Sequence, residues 1–177
     1  MPKWEIRIAR SAEQSNGAKT RTIGTYRVYH DNVAVTGLGG MTAEAEGHGN
    51  NDAKDNGKRV AAGTYPLWTH EGDNYWTIGF TPSESVDDGP KPGLRLEETN
   101  KREGILIHPG KNEFLSSIGC INPCTSLPDA SEPIDYPGSR ARVIALIDDL
   151  RAYLGDAFPD QNDQRIPHAW AVIEGEP

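Results

Sequence analysis

The chain has 177 residues, 36% of them hydrophobic, with nineteen Gly and thirteen Pro. That length suits one domain with a packed core, and the density of turn-forming residues favours strands over long helices. A formal net charge of −8 argues against nucleic acid or an anionic membrane as a main partner, because both select basic surfaces.

Met1 to Ser11 is charged and lacks the apolar run of roughly 7–15 residues that a secretory signal needs. No stretch is long enough to span a bilayer. The expectation is a protein made in the cytoplasm without a signal peptide, so that any delivery to the periplasm or cell wall uses a route other than general secretion.

Trp4, Ile6 and Ile8 alternate with charged residues, the period of a half-buried strand. Thr22 to Tyr29 and Val33 to Leu38 flank the turn His30-Asp31-Asn32 and predict a hairpin. Met41 to Lys58 is polar and rich in Gly, Asn and Asp, which predicts an exposed loop. Gly63 to His70 and Tyr75 to Phe80, separated by Glu71-Gly72-Asp73-Asn74, predict a second hairpin. After another loop, Pro82 to Pro92, the apolar run Ile105-Leu106-Ile107 between Gly104 and His108 predicts a short strand buried on both faces. Val143, Ile147, Leu150 and Leu154 recur at helical spacing, with Ser139 as N-cap and Gly155 as stop. Ala169 to Ile173 predicts a closing strand. The sum is an α+β, mostly-β domain with one packed C-terminal helix.

The two cysteines, Cys120 and Cys124, are too few for a disulfide scaffold or, without histidines, a structural zinc site. His30, His48, His70 and His168 show no metal-ligand spacing, so neither a metal nor a cofactor is predicted. Asp148-Asp149 reads as a solvated helix face. Trp68 and Trp76 read either as core aromatics or as groove walls.

The chemistry concentrates in Ile107 to Cys124, IHPGKNEFLSSIGCINPC. His108 ends a strand, ten residues follow, and then comes Gly119-Cys120. A thiol attacks carbonyls as its thiolate, and an ordinary cysteine with a pKa of ~8.5 is only slightly ionised at neutral pH. A nearby imidazole can take that proton and return it to a leaving amine. Gly119 lets substrate approach, and the N–H groups of Gly119 and Cys120 can donate to a developing oxyanion. The competing reading of Cys120 is a small buried hydrophobe, and of His108 a strand-end cap. Cys124 has three readings: a disulfide partner of Cys120, a resolving thiol, or a packed residue.

The segment resembles the active-site signature of the YkuD-type L,D-transpeptidases, at His108 and Gly110, then at Ser117, Gly119, Cys120, Ile121 and Asn122. Gly63-Thr64-Tyr65 is similar to the Gly-x-aromatic strand opening of that family. The likeness covers the middle of the chain and extends to short phage and secretion-effector relatives. It differs at Ile118, where the family usually has a second histidine. The His-to-Cys interval is shorter than the family's, and Ala61-Ala62 replaces the usual proline.

The resemblance implies a β-sandwich-like single catalytic domain over 1–177. Cys120 would be the nucleophile, His108 the base, Ser117 the residue orienting that histidine, and Gly119 part of the oxyanion loop. It implies acyl transfer or carboxypeptidase cleavage on peptidoglycan stem peptides. A role as an antibacterial effector with an immunity protein, or as a phage-associated enzyme with a delivery partner, goes with it. Gly110, Asn122 and Arg95 are candidates for substrate binding, with Lys58 and Arg59 as further basic residues near the motifs. The rival expectations are a cysteine amidase on another substrate and a non-catalytic module that keeps the fold. In papain-like enzymes the cysteine precedes the histidine, the opposite of the order here.

Overall fold

The computed structural model describes residues 3–177. Three long strands open the chain as an antiparallel meander: β1 (Trp4–Asn16), β2 (Lys19–His30) and β3 (Val33–Ala45). The alternation read in β1 is that of burial, with Trp4, Ile6 and Ile8 turned into the core. Asp31 and Asn32, both at positive φ (51° and 70°), make the tight turn between β2 and β3.

The short strands are β4 (Gly63–Trp68), β5 (Tyr75–Trp76), β6 (Lys91–Pro92), β7 (Leu94–Leu96), β8 (Leu106–Ile107) and β9 (Asn122–Cys124). The last strand, β10 (Arg165–Glu174), lies parallel to β1 and antiparallel to β4. The main sheet runs β8-β7-β4-β10-β1-β2-β3-β9. Its edges nearly meet. Ile107 and Ile121 form a parallel bridge, His108 N donates to Ile121 O at 3.0 Å, and Ile121 N donates to Leu106 O at 2.8 Å. The strands expected as a β-sandwich thus belong to one nearly closed eight-stranded sheet.

The helix α1 (Tyr136–Leu154) buries Val143, Leu146, Ile147 and Leu150 and lies against β9, β3 and β6. It starts a turn earlier than its apolar stripe implies. Asp135 is the N-cap, its carboxylate accepting from Gly138 N at 2.9 Å, and Pro137 fits the first turn. Ser139 therefore sits inside the helix, where its hydroxyl donates to Pro123 O (2.5 Å) and accepts from Gly110 N (2.9 Å). Helix and β9 are fastened together through that one side chain. The helix ends at Gly155, whose N–H bonds Arg151 O.

Two loop and hairpin expectations are corrected. Met41 to Ala45 belongs to β3, because β2 and β9 pair with it on both sides. Its polar member Glu44 is fully buried in a fork with Arg10: Nε to Oε2 at 2.9 Å and Nη2 to Oε1 at 2.7 Å. The irregular segment starts at Glu46. Gly63 to His70 and Tyr75 to Phe80 do not form a hairpin. The turn between them exists, with Gly72 N donating to Tyr75 O. β4, however, is held by β10 and β7, and β5 pairs in parallel with β6 as a separate small sheet.

Arg10 also donates to Val60 O at 2.7 Å, so Glu44 is its main charge partner inside the sheet. Removing one member of a buried ion pair strands the other in a low-dielectric interior. Glu44→Ala is expected to lower the unfolding free energy by about 3–5 kcal/mol in urea titration. A loss below about 1 kcal/mol, the level of an exposed pair, would contradict the buried fork.

Candidate active site

The seam sets the geometry. Ile107 and Ile121 face each other across the parallel bridge, and both point into the core with no exposed surface. Side chains alternate along strands, so Leu106 and His108 on one side, and Cys120 and Asn122 on the other, lie on the opposite face. His108 and Cys120 thus stand at nearby positions across the seam, but the Cys120 sulfur turns to the backbone of Gly104 and Leu106, and His108 does not line the cavity beside it.

Cys120 is half-buried, and its thiol is free. Sγ accepts a hydrogen bond from Leu106 N at 3.3 Å and donates to Gly104 O at 3.5 Å. It makes no hydrogen bond to His108. It opens into a cavity of about 430 Å³ lined also by Lys54, Asp55, Arg102, Gly104 and Ile118. Burial pushes its pKa above that of an ordinary thiol; the Leu106 N–H and the Arg102 charge oppose that shift.

His108 is 4% exposed, its ring stacked on Tyr75 with centroids 4.1 Å apart. Nδ1 lies 2.8 Å from Pro109 O. A carbonyl only accepts, so Nδ1 carries the proton and Nε2 keeps the lone pair. The Asn122 amide donates to His108 O at 2.9 Å and lies 3.4 Å from Nδ1. Burial pushes the imidazole pKa down to about 4; the Pro109 carbonyl raises it partway, and Lys111 and Lys91 lower it further. The ring is neutral at pH 7, with a free lone pair on Nε2 whose basicity burial weakens.

Compared with known proteins, this chain matches no family model, no curated protein and no solved structure. The site is therefore read from its own geometry.

Ser117 makes no hydrogen bond to His108; its hydroxyl donates to Cys120 O at 2.8 Å. Gly119 has φ +130°, and a Cβ there would lie 2.2 Å from Arg102 Nη2, so both conformation and space demand glycine. Its N–H and that of Cys120 have no hydrogen-bond partner among the described residues.

The three substrate-binding candidates lie outside the cavity. Gly110 is packed so that a Cβ would sit 2.6 Å from Ile134. Asn122 is fully buried beside His108. Arg95 is held by Glu97 (2.7 Å), Asp163 (2.7 Å) and His70 (2.9 Å). Lys58 pairs with Glu46, and Arg59 is buried against Thr22 and Glu176. Trp68 and Trp76 are half-buried and do not line the cavity. Cys124 is buried among Ala43, Leu127 and Ile134, its thiol pushed up to about 12 by burial. No group of three or more His, Cys, Asp or Glu among the described residues is arranged to hold a metal.

Tyr75 and Arg102 were not visible as site residues. Tyr75 sits in a turn-strand segment, and Arg102 in the charged run Lys101-Arg102-Glu103, which has the composition of a solvated loop. Neither carries a local pattern.

The buried neutral histidine has a consequence for stability. An unfolded chain protonates His108 near pH 6.5, while the native site resists until about 4. Stability from this residue is present above about pH 6.5 and falls as pH drops to about 4, by about 3 kcal/mol in all. Urea titrations across that range should show wild type losing that much more than His108→Gln, in which carboxylate titration is shared and cancels. Parallel stability curves for the two proteins would contradict a buried neutral imidazole.

Proposed function

We propose that this protein is a cysteine-dependent acyl transferase of the L,D-transpeptidase type, acting on peptidoglycan stem peptides. The observation that carries the reading is the Ile107–Ile121 bridge, which sets His108 and Cys120 at nearby positions of one seam, with Nε2 unprotonated and the sulfur open to a cavity. The sequence likeness around Gly119-Cys120-Ile121-Asn122 supplies the substrate class.

At rest both groups are neutral: burial raises the thiol pKa and lowers that of the imidazole. Attack is then coupled to proton transfer. As Sγ bonds to the substrate carbonyl carbon, its proton passes to His108 Nε2. The free amides of Gly119 and Cys120 receive the oxyanion. His108 returns the proton to the departing amine, leaving a thioester on Cys120. An acceptor amine, or water, attacks that thioester with His108 again as base. Pro109 O holds the ring tautomer, and Tyr75 and Asn122 hold its position.

A non-catalytic module is the rival that one observation favours, namely the missing hydrogen bond between Sγ and the imidazole. In enzymes such contacts can tighten only when substrate binds.

The test is incubation with purified peptidoglycan and mass analysis of the released muropeptides. Shortened stems, exchanged terminal D-amino acids or new crosslinks are expected with wild type. They should be absent with Cys120→Ala and slowed by about 10²-fold or more with His108→Gln. Unchanged muropeptides, or the same products from Cys120→Ala, would overturn the proposal.

A further inference from the structure

Arg102 is 4% exposed, yet no carboxylate among the described residues pairs with it. Its partners are carbonyls. Nη1 donates to Asn50 O at 2.8 Å, and Nη2 to Lys58 O at 2.9 Å and Ile118 O at 3.4 Å. Arg10, Arg59 and Arg95 each meet an acidic side chain, whereas Arg21 and Arg140 resemble Arg102 in meeting only neutral acceptors; of these only Arg102 lines the Cys120 cavity. A buried guanidinium satisfied only by neutral acceptors keeps its full charge in a low-dielectric setting.

That charge has a definite location. Nη2 fills the space where Gly119 would otherwise carry a Cβ, and Arg102 lines the same cavity as Cys120. The guanidinium also ties together Asn50 and Lys58, the two ends of the loop whose Lys54 and Asp55 face the cavity.

We infer that Arg102 is a positioning residue for Cys120: its charge, held in no direct ion pair and seated against Gly119, favours the anionic sulfur and the oxyanion formed there. This deepens the proposed acyl-transfer reading and depends on it for its purpose, but not for its test. The anion missing from the resting site is the one that chemistry would create. Burial lowers the pKa of the guanidinium, and the Cys120 sulfur acts against that shift, followed by Asp55 and Tyr65. The other ionisable groups around the pair are Lys54, Asp55 and Glu103 at the cavity, Tyr65 beneath Arg102, and Tyr75 and His108 on the seam.

The experiment follows the rate of Cys120 alkylation by iodoacetamide against pH, with mass spectrometry separating Cys120 from Cys124. It compares wild type with Arg102→Gln, which keeps donors without the charge, and Arg102→Lys, which keeps the charge. Melting curves check folding. Arg102→Gln should move the inflection up by about one pH unit, an approximately tenfold slower reaction at neutral pH. Arg102→Lys should stay close to wild type. Unmoved profiles in both variants, or equal shifts in both, would overturn the inference. Should Arg102→Gln fail to fold, Arg102→Lys decides alone: a retained profile supports the inference, and an upward move of a full pH unit overturns it. Thiol reactivity is read without any cell-wall substrate, so failure here is distinct from failure of the muropeptide assay.

Discussion

The structure depends on the join between β8 and the segment entering β9. Two backbone hydrogen bonds, His108 N to Ile121 O and Ile121 N to Leu106 O, bring the two edges of an eight-stranded sheet together. Closing a sheet removes edges that would otherwise expose unpaired donors and acceptors. The same join brings His108 and Cys120 to nearby positions, because each neighbours one of the paired residues Ile107 and Ile121. Fold closure and site assembly are one event here. Ser139 extends it, tying the helix to Pro123 on β9 and to Gly110 just beyond His108.

The electrostatics of the site differ from those of a preformed thiolate–imidazolium pair. Low dielectric keeps both groups neutral, so charge would appear only as a bond forms to sulfur. Arg102 lies against Gly119 and on the cavity onto which Cys120 opens, where that negative charge would develop. Tyr75, its own pKa pushed up to about 12 by burial, stays neutral and acts on His108 through stacking. A site of this kind resists adventitious oxidation more than a thiolate would, because oxidation follows thiolate character.

Much of the fold was legible wherever periodicity reports burial. Trp4, Ile6 and Ile8 announced β1, and Val143, Ile147 and Leu150 announced the buried side of α1. The apolar run Ile105-Leu106-Ile107 announced the short buried strand β8. What stayed hidden rests on long-range pairing. Glu44 reads as a loop residue until Arg10, 34 positions away, meets it in the interior. The Glu71–Asn74 turn suggests a hairpin, but a turn cannot say that β10 and β7 claim β4 first. Arg102 and Tyr75 reach the site through tertiary packing alone, with no spacing to betray them. The Ser117 hydroxyl, three residues before Cys120, bonds that residue's carbonyl and not the His108 ring that the family resemblance implies.

The central claim is that Cys120 forms a covalent bond to a substrate carbonyl with His108 as its base. Intact-protein mass spectrometry after rapid quenching, with a stem tetrapeptide as acyl donor, addresses this directly. The account predicts an added acyl mass that hydroxylamine removes, mapped to Cys120, and formed far more slowly in His108→Gln. Acylation at no residue, or acylation of Cys120 at the same rate without the imidazole, would contradict it.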